Sequence, residues 1–185
     1  KLIEWGVQLG RQAVEEEKEK TKELSSSSSP SFVVASSGCY GAALADGSEY
    51  TGDYGSVDAA GLEMFHRRKI EAFLSTQQQT GPLNGLAIET IPCVRECEAI
   101  CNVLSSLSSS SSSTDTKNSD IAFWISLACR DGKTLNEGAP VLDALNTIRQ
   151  KDPTAEYVHA IGINCCDSAL IGSLIEIIVQ DMATK

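Results

Sequence analysis

No stretch of this 185-residue chain approaches the roughly 18 consecutive apolar residues that a membrane-crossing helix needs. No charged segment running into an apolar one opens it, so no secretory signal is read there. Positive charge is scarce: 15 Lys and Arg stand against 25 Asp and Glu, the formal charge is −10, and the basic run is Arg67-Arg68-Lys69. That balance excludes nucleic acid and anionic membrane as partners and leaves the basic run as a solvated helix face. Histidine is scarcer still, with 2. His66 falls in a predicted helix, and His159 lies six residues before Cys165 in one extended segment. At about 3.3 Å per residue, His159 is roughly 20 Å from Cys165 and cannot activate it. Also absent are the glycine spacings of the P-loop and of the dinucleotide fingerprint.

Cysteine is not scarce. Seven cysteines, an odd number at irregular spacing and five of them in apolar surroundings, indicate a reducing compartment rather than a disulfide framework. A soluble, cytoplasmic protein is expected. The hydrophobic content of 42% supports one core, so residues 1–185 are read as one domain or part of one. The chain starts at Lys1, and Leu2, Ile3, Trp5, Val7, Leu9, Ala13 and Val14 already belong to an amphipathic helix, so the start reads as a truncation.

Two serine-rich tracts, 25–29 and 105–119, have nothing to bury and read as mobile linkers. Around them, predicted strands at 32–35, 83–89, 121–127 and from Tyr157 to Cys166 alternate with helices, the first of which ends near Leu24. Apolar residues at Leu170, Ile171, Leu174, Ile175, Ile178, Val179 and Met182 mark the last helix. Strands nearly continuous in apolar residues predict an α/β fold whose parallel sheet is covered on both faces. An open doubly wound sheet and an arc of a (β/α)₈ barrel both fit. The serine tracts lie in helix-to-strand connections. Gly38 to Gly55, Glu89-Thr90-Ile91-Pro92, Arg130-Asp131-Gly132 and Asn164-Cys165-Cys166 instead follow strand C-termini, where α/β enzymes carry their sites.

Glu89 ends an apolar strand and either faces such a site or pairs at the strand end. The segment Gly38 to Gly55 is long and glycine-rich, and its acids and tyrosines, Asp46, Glu49, Tyr50 and Asp53 among them, suit a small cation. A plain surface loop is the alternative. Cys165 and Cys166 are core filler, a nucleophile or metal ligands, and two adjacent cysteines do not complete a zinc site. Cys93, Cys97 and Cys101 span about 12 Å along a helix, too far to share one ion, and read as core or first-turn residues.

Four segments together carry a resemblance: S-S-G-C-Y-G-A-A-L-A-D-G-S-E-Y-T-G-D-Y-G (36–55), F-H-R-R-K-I (65–70), A-I-E-T-I-P (87–92) and G-I-N-C (162–165). In this order they resemble the homocysteine S-methyltransferase family, closest to its S-methylmethionine-using branch, over nearly the whole chain outside the serine tracts. The resemblance implies the central portion of a (β/α)₈ TIM barrel, about four β/α units, corresponding to the third through sixth strands. It implies Zn²⁺ as cofactor, with Cys165 as one ligand, the other two belonging to a Gly-Gly-Cys-Cys motif not found here. Cys166 stands where relatives carry a small polar residue and is not half of that pair. Glu89 takes the role of the glutamate that holds the amino group of homocysteine, and Asn164 orients the site.

The implied reaction moves a methyl group from S-methylmethionine or S-adenosylmethionine to the homocysteine thiolate, giving methionine. Homocysteine and the sulfonium donor are the expected partners, and the 185 residues alone are expected to be inactive. Two other readings stand beside it. One is a catalytically inactive truncated barrel acting as a binding or regulatory fragment; the other is a metal-free barrel enzyme of different chemistry.

Overall fold

The structure, a computed structural model, describes residues 1–22, 31–80, 83–109 and 121–183. Helix α1 (Leu2–Lys22) leads into strand β1 (Val34–Gly38), the short helix α2 (Tyr40–Leu44) and a 3₁₀ turn (Ser48–Tyr50). Helix α3 (Ala59–Thr80), β2 (Gly85–Ile91), α4 (Val94–Ser109), β3 (Ala122–Leu127), α5 (Val141–Lys151) and β4 (Ala160–Ile163) follow. A 3₁₀ turn (Ser168–Leu170) then opens α6 (Ile171–Ala183).

The four strands of the sheet pair in parallel, in the order β1-β2-β3-β4. That order resolves the architecture. A doubly wound sheet reverses direction at a switch point, whereas sequential order with right-handed crossovers keeps every crossover helix on one face. The helices accordingly touch in series, α1 on α3, α3 on α4, α4 on α5 and α5 on α6. The chain is therefore an arc of four β/α units, a partial (β/α)₈ barrel.

The two faces of the sheet carry different residues. Ile88, Ile125 and Ile161 share a row on the helix side, as do Leu86 and Phe123. Leu86, Ile88, Ile125 and Leu127 are at most 1% exposed, and burial of each contributes about 1.5–3 kcal/mol. The opposite face carries Ser36, Ala87, Trp124 and Ala160 in one row. Gly85 lies beneath the indole there, since a Cβ on it would meet Trp124 Cζ3 at 2.9 Å. Small residues on this inner face made the strands read as unbroken apolar runs.

Strand limits also shift. β1 runs from Val34 to Gly38 rather than 32–35, and the predicted strand from Tyr157 shortens to Ala160–Ile163. Tyr157 and Val158 are instead held by buried Asp152, which accepts from both backbone N–H groups at 2.9 and 2.7 Å. His159 stays at the N-terminal end of β4, its N–H on the Phe123 carbonyl at 2.8 Å and its Nδ1 accepting from the Phe123 N–H at 3.2 Å.

Of the apolar residues that mark the first and last helices, Val7 alone is buried in α1, and Leu174 and Ile178 in α6. Leu2, Trp5, Val179 and Met182 are more than half exposed. These helices lie at the two ends of the arc, α1 packed on α3 and α6 on α5. Residues 105–109 of the second serine tract continue α4, while 110–119, the tract at 25–29 and Leu24 lie outside the described residues. No described helix is long and apolar enough to cross a membrane.

Candidate functional site

The C-terminal ends of β2 and β4 meet through side chains. β2 does not stop at Glu89 as expected but continues to Ile91 through a bulge: Ile88 pairs with Ile125 and Ile91 with Leu127, so Glu89 and Thr90 together oppose Ser126. Bulges at strand ends re-aim side chains beside active sites. Thr90 takes φ 64° and Cys165 φ 51°. For non-glycine residues the left-handed region costs on the order of 1–2 kcal/mol each, most acutely for β-branched Thr90.

Hydrogen bonds hold both residues there. Asn164 Oδ1 accepts from the Thr90 N–H at 3.0 Å, and Asn164 Nδ2 donates to Glu89 Oε2 and to Thr90 Oγ1, each at 3.1 Å. Its backbone N–H donates to the Leu127 carbonyl at 3.1 Å, which extends the β3–β4 ladder. The Thr90 hydroxyl has one proton and donates it to Cys165 Sγ at 3.3 Å. Glu89, Asn164 and Cys165, selected from the sequence, are thus brought together. Thr90 was missed as a site residue because a positive φ at a β-branched residue has no sequence signature.

Cys165 is the exposed cysteine; Cys166 is half-buried and packs against the core. Burial, then the neighbouring Asp167 and Cys165, push the Cys166 thiol up. Cys93, Cys97, Cys101 and Cys129 are buried. Burial pushes Cys93, Cys101 and Cys129 up to about 12 and Cys97 well above its ordinary value, so all four stay protonated thiols. Cys165 alone combines solvent access with a hydroxyl donor aimed at its sulfur, and it suits one position of a thiolate-bound metal. Among the described residues no group of three or more His, Cys, Asp or Glu could hold a metal ion. Zinc needs at least three protein ligands, so Cys165 fits as a single ligand, and the remaining donors would lie outside the described residues.

The segment Gly38 to Gly55, expected to lack secondary structure, holds α2 and a 3₁₀ turn. Cys39 Sγ caps α2 by accepting from the Ala42 N–H at 3.4 Å, and Ala45 ends the helix in the left-handed region. The four acidic and aromatic candidates separate here. Asp46 accepts from the hydroxyl and, at 3.0 Å, the N–H of Ser48, bonds that hold its carboxyl below the ordinary range. Asp53 accepts from the Gly55 N–H at 3.0 Å, and Tyr50 is 67% exposed. Both aspartates therefore shape their own turns. Glu49 differs: its Oε2 is buried and has no hydrogen-bond partner among the described residues.

Behind this segment lies a polar centre that the sequence reading did not select. Glu96 of α4 is 0% exposed. Its Oε1 accepts from the Tyr40 N–H at 2.6 Å and lies 2.7 Å from His66 Nε2, and its Oε2 accepts from the Tyr54 hydroxyl at 2.5 Å. Burial, with the Glu96 charge and hydrogen bond, raises the Tyr54 phenol far above its ordinary range, so it remains a neutral donor. A signal did exist: Glu96 stands three residues after Cys93 and four before Ile100, and His66 four from Leu62 and from Ile70, polar groups on otherwise buried helical stripes.

An arc of parallel β/α units with bonded polar side chains converging at strand C-termini defines the class of (β/α)₈-barrel enzymes. Within that class, the family model described as homocysteine S-methyltransferase matches residues 1–185, and the chain belongs to that family. It is 32% identical over 178 residues to betaine-homocysteine S-methyltransferase of Drosophila melanogaster, covering 94% of this chain and 49% of the relative. It is 35% identical over 157 residues to homocysteine S-methyltransferase 3 of Arabidopsis thaliana, covering 84% and 40%. Among solved structures, the metallated form of the homocysteine methyltransferase MmuM from Escherichia coli superposes with a TM-score of 0.74 at 29% identity, covering 96% of this chain and 53% of that one. The chain thus spans about half the length, or less, of the relatives it matches.

Proposed function

We propose that the whole protein transfers a methyl group from a cationic sulfonium donor, S-methylmethionine or S-adenosylmethionine, to the thiol of homocysteine, giving methionine. The observation that carries this reading is the bonded cluster of Glu89, Thr90, Asn164 and Cys165 at adjoining strand ends. Glu89 keeps carboxylate capacity free for the substrate ammonium while Asn164 fixes its orientation. Asn164 also holds Thr90, whose hydroxyl donates to Cys165. Cys165 would provide one thiolate to Zn²⁺, which when bound makes a coordinated thiol acidic enough to ionise near neutral pH. The seven free cysteines suit a reducing, cytoplasmic setting.

In the transfer, the thiolate sulfur forms a bond to the methyl carbon as the carbon–sulfonium bond breaks. An anion and a cation become two neutral thioethers, and no proton moves in that step. Charge is consumed rather than created, so the chain's task is to align the reactants and exclude water. Glu49, with an unpaired buried oxygen, is the acid of the glycine-rich segment best suited to the donor's positive charge.

The test is a methyl-transfer assay on the whole protein with S-methylmethionine, S-adenosylmethionine and betaine separately, each with and without chelator. Transfer from a sulfonium that chelation abolishes supports the reading. Transfer from betaine alone, or from no donor, overturns it.

A further inference from the structure

Glu96 gathers three donors that belong to different parts of the chain. Tyr40 opens α2 directly after β1, Tyr54 closes the glycine-rich segment, and His66 lies on α3, while Glu96 itself is on α4. One buried carboxylate therefore ties both ends of residues 40–54 to the two helices behind them. The aromatic packing follows the same route. Tyr40 lies 5.3 Å from Tyr54 and 5.2 Å from Phe65 between ring centroids, and Phe65 lies edge-on to His66 at 5.0 Å.

The middle of the segment has less to hold it. Asn136 Nδ2, from the loop after β3, donates to the Glu49 carbonyl at 2.9 Å. Gly41 permits the close turn, since a Cβ there would meet the Glu49 N at 2.5 Å and the Tyr54 ring at 2.8 Å. The position of Glu49 thus depends on the two ends that Glu96 secures. The proposed reaction draws on neither Glu96, Tyr54 nor His66, although a charge buried at 0% exposure is costly to fold unless every lone pair is engaged.

We infer that Glu96 is a positioning residue: by clamping residues 40–54 at both ends, it presents the unpaired Glu49 oxygen to the cationic group of the methyl donor. The inference rests on the donor-binding reading of this segment, and the experiment separates the two.

The whole protein and its Glu96→Ala, Glu96→Gln and Tyr54→Phe variants are compared by hydrogen exchange without substrate, and by KM for donor and for homocysteine. Glu96→Ala should raise deuterium uptake selectively in peptides spanning 40–54 and raise donor KM about tenfold or more, with homocysteine KM within about twofold. Glu96→Gln retains an acceptor for Tyr40 and His66, while its amide donates to the Tyr54 hydroxyl oxygen, and should recover most of the donor affinity. Tyr54→Phe, which removes one bond, serves where Glu96→Ala does not fold and should give an intermediate rise in both readouts. Uptake that rises equally across the chain, or selective uptake with unchanged donor KM, overturns the positioning role. A wild type that transfers no methyl group from any donor sinks the donor-binding reading and the presentation of Glu49 with it. Selective uptake would then support the clamp as a structural element alone.

Discussion

Two carboxylate centres lie at the same end of the sheet and use similar bonds in opposite ways. Around Glu89 the groups are partly open to water, two residues are held in the left-handed region, and an exposed thiol receives a hydroxyl proton donor. Around Glu96 the carboxylate is dry and engaged by three donors. Strain and accessibility suit the first to the binding and reaction proposed for it. Burial, with both Glu96 oxygens engaged, marks the second as a place that holds shape, because an unpaired charge there would be far costlier than one at the surface. Carboxylates at this end of the sheet are thus not equivalent, and solvent access separates the two.

The sharpest way to break this contrast is Cys165→Ser. Methyl transfer by the whole protein should fall by roughly two orders of magnitude or more with loss of bound metal, while the thermal midpoint barely moves because the side chain is exposed. Retained activity and metal content would remove Cys165 from the site. Glu96→Ala should do the reverse to stability. Stranding Tyr40 N–H, Tyr54 and His66 costs about 3–5 kcal/mol, readable as a lower urea midpoint at unchanged slope.

Asn164→Ala and Thr90→Gly test how the strained pair is supported. Asn164→Ala frees Glu89 and Thr90 and should cost about 1–2 kcal/mol along with homocysteine affinity. Thr90→Gly relieves the φ of 64° but removes the hydroxyl. It should leave stability within about 1 kcal/mol while transfer falls, and a large stability loss would show that the bulge is structural only.

pH separates the thiols. Cys93, Cys101 and Cys129 are raised from 9.0 to about 12 by burial. Protonated thiols favour the fold, so their contribution is complete below pH 9 and is lost as pH rises towards 12. The urea midpoint should decline across that window. At pH 8, iodoacetamide followed by mass spectrometry should label Cys165 first and spare the buried five until unfolding. The smallest effect is expected from Asp46→Asn and Asp53→Asn, which keep their turn acceptors and should change donor KM by less than about twofold. Glu49→Gln should raise it several-fold, and equal effects from all three would return the segment to general electrostatics.

Much of this was legible in the residues. Apolar periodicity located the helices, and placement of the serine tracts away from the strand C-termini pointed to the functional end. The E-T-I-P and G-I-N-C segments marked Glu89, Asn164 and Cys165: order along the chain put them near strand C-termini, and the family resemblance gave them their expected roles. The glycine-rich segment was misread as structureless because its capping comes from a cysteine sulfur and its fixation from Glu96 on a distant helix. The exposure of much of the apolar face of α1 and α6 was not legible, because periodicity identifies an apolar face without saying what covers it.

The sequence by itself determined an α/β chain, its strand-end motifs and its family, since these depend on local pattern and residue identity. Local pattern left barrel arc and doubly wound sheet open and the family resemblance implied the barrel; the strand order, a matter of long-range pairing, is seen only in the tertiary structure. It likewise decided that Thr90 reaches Cys165 across 75 positions, and that Glu96 gathers donors from 30 to 56 positions away. Contacts between residues so distant in the chain form where packing brings their elements together, and no local pattern encodes them.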